Sequence, residues 1–215
     1  MSHYHPDELM LMNYAAGNLP TAEALIISVH LASCHQCQTY VRQTNLLGGV
    51  LFEKITPATD DKLDDVDAFI AALPDRKNNL NGKNSSTPSG YRNPLGQYLP
   101  DDLRTLAWKK QTNTISKFDL NGLVGEKGAN VTLQKISAGA RVPKHTHKGT
   151  EYTLILSGGF SDELGVYHKG DFISRDASHK HSPTALQNED CICLTVLDAP
   201  IRFTGWMRIL NPFLS

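Results

Sequence analysis

The chain has 215 residues, 40% of them hydrophobic and 20% charged, which suits two small globular units and excludes a disordered class. Its net charge is −1, and neither half is strongly basic: residues 1–100 carry seven Lys/Arg against ten Asp/Glu, residues 101–215 fourteen against twelve. Direct nucleic-acid binding is therefore disfavoured. No apolar run approaches the ~18–20 residues that cross a bilayer, and the start, MSHYHPDELM, lacks the basic-then-apolar order of a secretion signal, so a cytoplasmic chain without membrane contact is expected.

Residues 6–54 read as three short helices. Leu9, Met12 and Ala16 recur at helical spacing, Gly17-Asn18-Leu19-Pro20 is a stop and restart, and Thr21 stands as N-cap of a second helix with Ala24, Ile27 and Leu31 inward. Leu25 and Ile26 widen that face, and a third helix follows Cys34 towards Phe52. So small a core needs a staple. After a break at Thr56-Pro57, residues 60–73 predict a further helix with Asp60, Asp61 and Asp64 at its positive end. Residues 74–94 are rich in Asn, Gly, Ser and Pro, a linker composition. From about residue 97 short alternating segments (NVTLQKI, TLILSG, CICLTVLD) are divided by Gly, Pro and Asn turns, the grammar of an all-β sandwich or barrel. The stretch from Gly205 to Ser215 reads as a last strand or a packed arm.

Four cysteines in two close pairs do not make a disulfide scaffold. His30, Cys34 and Cys37 stand at i, i+4 and i+7, and Cys34-x-x-Cys37 can close round one ion even if a helix breaks between them. Tetrahedral zinc needs a fourth donor. His5 is the choice, because the N-terminal segment can fold back over the helices; His3, Asp7 and His35 are rivals. Four protein donors leave no open position, so the site is expected to be structural. The competing readings are a redox dithiol or two buried cysteines beside an incidental histidine. The stretch from His5 to Cys37 resembles the zinc-binding anti-sigma domain, marked by His…His-x-x-x-Cys-x-x-Cys. That resemblance implies a helical bundle that clasps an extracytoplasmic-function (ECF) sigma factor, with His5, His30, Cys34 and Cys37 as zinc ligands.

A second constellation lies near residue 145: Gly139-x5-His145-x-His147-x3-Glu151-x6-Gly158. Residues two apart on a strand share a face, so His145 and His147 point together, and Glu151 can return to them after the turn at Lys148-Gly149. The pattern resembles the first cupin motif, glycines included. A looser second motif follows in Gly165 and Lys169-Gly170-Asp171, with His179 and His181 as candidate ligands; His181 is preferred because Pro183 lies just beyond it. Such a donor set suits Zn, Mn, Fe or Ni. Tyr152 and Arg175 are candidate pocket residues, though packing and surface roles suit them better. Cys191 and Cys193 share a strand face and read as a redox pair, as neighbours of the metal, or as small apolar residues.

The fold class expected is thus two-domain: a small all-α zinc-stapled unit (residues 1–75), a linker (76–96), and an all-β cupin jelly-roll barrel (97–215). The combination resembles the ChrR type of anti-sigma factor. The resemblance implies an ECF-type sigma factor as partner, a barrel that senses photo-oxidative or singlet-oxygen stress, and no catalytic residue. The alternative is a cupin metalloenzyme, a dioxygenase or isomerase, with a helical assembly domain. A homodimer through the cupin sheets is compatible with either.

Overall fold

The computed structural model describes residues 2–56, 70–72, 93–124, 130–198 and 201–203. The helix expected over 60–73, apart from residues 70–72, lies outside them, as do most of the expected linker and the stretch from Gly205.

Helix α1 (Glu8–Ala15) begins where the Asp7 carboxylate accepts the Met10 N–H at 2.7 Å, a cap worth about 1 kcal/mol. It ends at Gly17, whose φ of 71° lets the Gly17 and Asn18 N–H groups return to the Tyr14 and Asn13 carbonyls. Helix α2 (Thr21–Leu31) follows. Pro20, with φ −53° and ψ 149°, holds the cap position expected of Thr21, which becomes the first helical residue. Helix α3 (His35–Phe52) starts from Cys34, whose extended backbone breaks the chain direction.

The residues of α1 that recur at helical spacing do not make its buried face. Leu9 and Met12 are 61% and 44% exposed, and Ala16 is exposed too, whereas Met10 and Leu11 are buried. In this eight-residue helix the polar Glu8 and Asn13 stand on different sides and leave no single apolar face, so packing against α3 chooses one.

The β half is antiparallel at every pairing observed. A six-stranded sheet runs β1 (Lys109–Lys110), β2 (Ile115–Asp119), β3 (Asn130–Ile136), β11 (Cys191–Leu197), β5 (Glu151–Ser157), β8 (Phe172–Arg175). Two three-stranded sheets complete it: β10 (Thr184–Ala185), β6 (Gly159–Asp162), β7 (Gly165–His168), and β12 (Ile201–Phe203), β4 (His145–His147), β9 (Lys180–His181).

Every residue of β11 is buried, which an alternating strand with one wet face cannot be. Its Leu194 and Val196 join Val131, Leu133 and Leu154 in a core shared with Ile26, Ile27 and Leu31 of α2. Its Cys191 joins Ile136, Ile155 and Phe160 in the barrel interior. The central sheet is therefore a wall between two cores. The helical unit packs directly on the barrel's outer face, and Leu95 and Leu99 are buried in the same shared core.

Candidate metal centres

The joint between α2 and α3 gathers the first cluster. His30 leaves the last turn of α2, Cys34 caps α3, and Cys37 sits on its first turn. The extended segment before α1 brings His5 over them. His5 Nδ1 lies 3.3 Å from Cys34 Sγ and 3.4 Å from Cys37 Sγ, and His30 Nε2 lies 3.3 Å from Cys37 Sγ. All four donor atoms fall within 4.8 Å of one another. Neighbouring S and N donors round a tetrahedral zinc ion stand about 3.6 Å apart, from bond lengths of ~2.3 and ~2.05 Å.

The rivals for the fourth place stand elsewhere: Asp7 caps α1, the His3 N–H donates to Asp171 Oδ1 at 2.6 Å, and His35 is exposed. A hydrogen bond from Cys37 pulls Cys34 down to about 3, against the opposing effect of burial, and the same bond pushes Cys37 up. The opposed shifts favour a thiolate at Cys34 beside a thiol at Cys37, a pair suited to a cation.

The tautomer of His30 is fixed from the barrel. Its Nδ1 lies 3.1 Å from the Gly170 carbonyl, which can only accept, so Nδ1 carries the hydrogen and Nε2 turns a lone pair to the cluster. Gly170 holds φ at 94°, a left-handed turn. The same turn clamps the segment carrying His5: Asp171 Oδ1 accepts the His3 and Tyr4 N–H groups, and the Phe172 N–H donates to the Tyr4 carbonyl.

The second cluster lies inside the barrel. In the β4–β9 ladder His145 pairs with His181, and Glu151 opens β5 beside them. All three are buried, with donors within 4.8 Å. His145 Nδ1 donates to the Pro143 carbonyl at 2.8 Å, and His181 Nδ1 donates to Asp162 Oδ2 at 3.3 Å. Both Nε2 atoms therefore present lone pairs, and they face each other at 3.1 Å. Two lone pairs that close repel unless a cation lies between them, so the residues present fit a metal ion. Glu151 Oε2 stands 3.8 Å from His181 Nε2. Burial raises Glu151 to about 7 and lowers His145 to about 4.

His181 rather than His179 joins the cluster. His179 is half-buried and bonds Asp176 at 2.8 Å instead. His147 lies on β4, but its side chain is outside the described residues. Of the expected pocket pair, Tyr152 packs outward against Phe172 in the shared core, while Arg175 is half-buried, its Nη2 bonded to the Tyr167 hydroxyl at 2.6 Å and to Asp162 at 3.4 Å. Cys193 borders a cavity of about 310 Å³ next to the triad, and Cys191 belongs to the barrel core. Asp162, which orients His181, carried no signal in the sequence; it is one acid among 22.

Residues 101–199 match the ChrR cupin-like domain family. Over 213 residues the chain is 31% identical to the anti-sigma-E factor ChrR of Cereibacter sphaeroides, covering 98% of this chain and 97% of that protein. The chain belongs to the ChrR family of anti-sigma factors. The crystal structure of Rhodobacter sphaeroides SigE in complex with the anti-sigma ChrR superposes with a TM-score of 0.74 at 29% identity, over 92% of this chain and all of that one. Among the described residues of this ChrR-family chain, no helix is long and apolar enough to cross a membrane.

Proposed function

We propose that this chain is an anti-sigma factor: its helical unit binds and inhibits an ECF-type sigma factor in the cytoplasm, and its barrel senses an oxidative signal that triggers release. The observation that carries the binding half is the end of α3. Leu46, Leu47, Val50, Leu51 and Phe52 are each more than half exposed, and Leu9 and Met12 of α1 are exposed as well. Scattered apolar residues are ordinary, but five within one helix end make a patch that asks for a partner. Each such side chain buried in a complex contributes about 1.5–3 kcal/mol before association costs. The reading also draws on family membership and on what the Rhodobacter relative binds.

In this reading the four donors His5, His30, Cys34 and Cys37 hold zinc, which ties the N-terminal segment to the α2–α3 joint. His145, Glu151 and His181, with His147 as a fourth, hold zinc or another divalent ion such as Mn, Fe or Ni. Bound there, the ion supplies a positive centre open to the cavity. The chain's own residues pass the signal on. His181 rests on Asp162, Asp162 on Arg175, Arg175 on Tyr167, and the Tyr167 ring meets the Tyr4 ring at 4.8 Å, one residue from His5. A change that weakens the complex tenfold needs only about 1.4 kcal/mol of difference between its bound and free forms.

The test is co-purification of the full chain with its cognate sigma factor. A stoichiometric complex is expected for the native protein. Leu47→Glu with Leu51→Glu should abolish it while leaving metal content and helicity unchanged. No complex with the native chain overturns the proposal. The second reading, a cupin metalloenzyme, is kept alive by the cavity beside the triad; it requires turnover of a small molecule by the purified chain.

A further inference from the structure

The cavity beside the barrel triad has a composition that the proposed sensing role does not use. About 310 Å³ is at the floor of the ~300–1,000 Å³ range of small-molecule pockets. The surface it exposes is mostly apolar, with Ile115, Ile136, Val142, Phe160 and Pro183 among the lining residues. The cross-strand row Lys117–Gln134–Cys193 lies on the sheet face that lines it. Lys117 is a half-buried cation, with no ion pair or side-chain hydrogen bond among the described residues. Lys117 lines the same cavity as His145, Glu151 and His181, close enough for its charge to lower Glu151 against the effect of burial. A cation on the wall of a mostly apolar chamber, with the one carboxylate beside it, Glu151, committed to the proposed metal ion, matches an anion with a hydrocarbon body. A phosphate group would call for several donors, an Arg fork or a helix N-terminus, and the Arg175 guanidinium, bonded to Tyr167 and Asp162, does not line this cavity.

We propose that the barrel cavity binds a small organic monocarboxylate, with its carboxylate on the Lys117 ammonium and its hydrocarbon body against Ile115, Ile136, Val142 and Phe160. The proposal rests on the barrel site being a metal centre. A divalent ion balances the Glu151 charge, so that the chamber is net positive and favours an anion. The ligand makes the barrel site responsive to a metabolite as well as to its ion.

Calorimetric titration of the full-length, metal-loaded chain with hexanoate tests this. Saturable one-to-one binding is expected, at least about tenfold tighter than that of acetate, which lacks the body, and of hexanol, which lacks the charge. Lys117→Met should weaken hexanoate at least about tenfold and Lys117→Arg should restore most of the loss, both with unchanged metal content and melting temperature. Ile115→Trp, which fills the chamber, should abolish binding with Lys117 still in place. Equal affinity for hexanoate and hexanol, full affinity in Lys117→Met, or no saturable binding overturns the proposal. Metal analysis of His145→Ala judges the metal reading separately: if the ion stays, that reading fails, and the hexanoate titration of the native chain still decides the cavity.

Discussion

The two candidate metal clusters differ in what surrounds them. The first is a closed set of four soft and borderline donors at a helix joint, with three of its residues buried and both sulfurs already sharing one negative charge. The second is a set of imidazoles and a carboxylate facing a cavity of about 310 Å³. A site with four protein donors holds its ion and shapes the chain around it; a site that opens on a chamber can exchange, be attacked or take a further ligand. The proposed function accordingly gives folding to the first and response to the second. Yet the two are not insulated, because the Gly170–Phe172 turn of the barrel holds both His30 and the segment carrying His5.

Breaking the first cluster gives the largest effect. Cys34→Ser removes a donor and the cap residue of α3, and metal binding and folding are linked in modules this small. The variant should lose one metal equivalent, lose helicity in residues 5–52, and bind sigma factor at least about a hundredfold more weakly, a loss of ~2.7 kcal/mol. Circular dichroism, elemental analysis and a binding titration check the three together.

Next in size is a difference in pH response. Protons compete with metal at both clusters, and the folded-state shifts say where. Glu151 is raised to about 7, so below pH 7 its proton must be displaced and zinc affinity at the barrel should fall about tenfold per unit; above pH 7 it should level off. His145, lowered to about 4, stays neutral across this range and adds no slope. At the first cluster Cys37 is shifted upward and still holds its proton at pH 8.5, so affinity there should keep rising about tenfold per unit from pH 6 to 8.5. Chelator competition at both sites measures the two curves. Parallel curves would remove the contrast drawn between them.

Much of this was legible beforehand, and the parts that were not have physical causes. Spacing alone brought out His30, Cys34 and Cys37, because donors four and seven apart converge whether or not the helix continues. His181 was separable from His179 only by a proline two residues on; the structure separates them by register, since His181 faces His145 across the β4–β9 ladder. The inward face of α1 was not legible because Glu8 and Asn13, its polar residues, do not gather on one side of ELMLMNYA. The packing of the helical unit on the barrel was hidden for a related reason. A run such as CICLTVL says that both faces are covered but not by what, and here α2 covers one of them. Backbone acceptors are invisible to any residue pattern, so the Pro143 and Gly170 carbonyls that fix the histidine tautomers could not be foreseen.

The link between the clusters can be sharpened at Tyr167. Tyr167→Phe keeps the ring against Tyr4 but removes the hydroxyl that accepts from Arg175 and donates to Asp162, the residue that orients His181. Loosened support of a ligand costs up to about tenfold in metal affinity at this remove, so barrel zinc affinity should drop by that order with the first site unchanged. Unchanged barrel affinity would mean that Asp162 and Arg175 hold His181 without the hydroxyl.

The smallest effect is the most discriminating. His145→Ala should empty the barrel site, yet sigma affinity should stay within about threefold, ~0.7 kcal/mol, of the native chain. The reason is geometric. The exposed apolar end of α3 and the four donors of the first cluster do not touch the triad, and α2 packs on the outer face of the sheet through Leu194 and Val196, whose side chains point away from it. What the variant should lose is the stimulus-dependent change in that affinity. A binding titration with and without oxidant separates the outcomes. If His145→Ala binds sigma factor natively and still releases it on oxidation, the barrel triad is not the sensor. If binding itself collapses, the shared core carries more of the first cluster's stability than the closed zinc set does, and the assignment of folding to one cluster and response to the other fails.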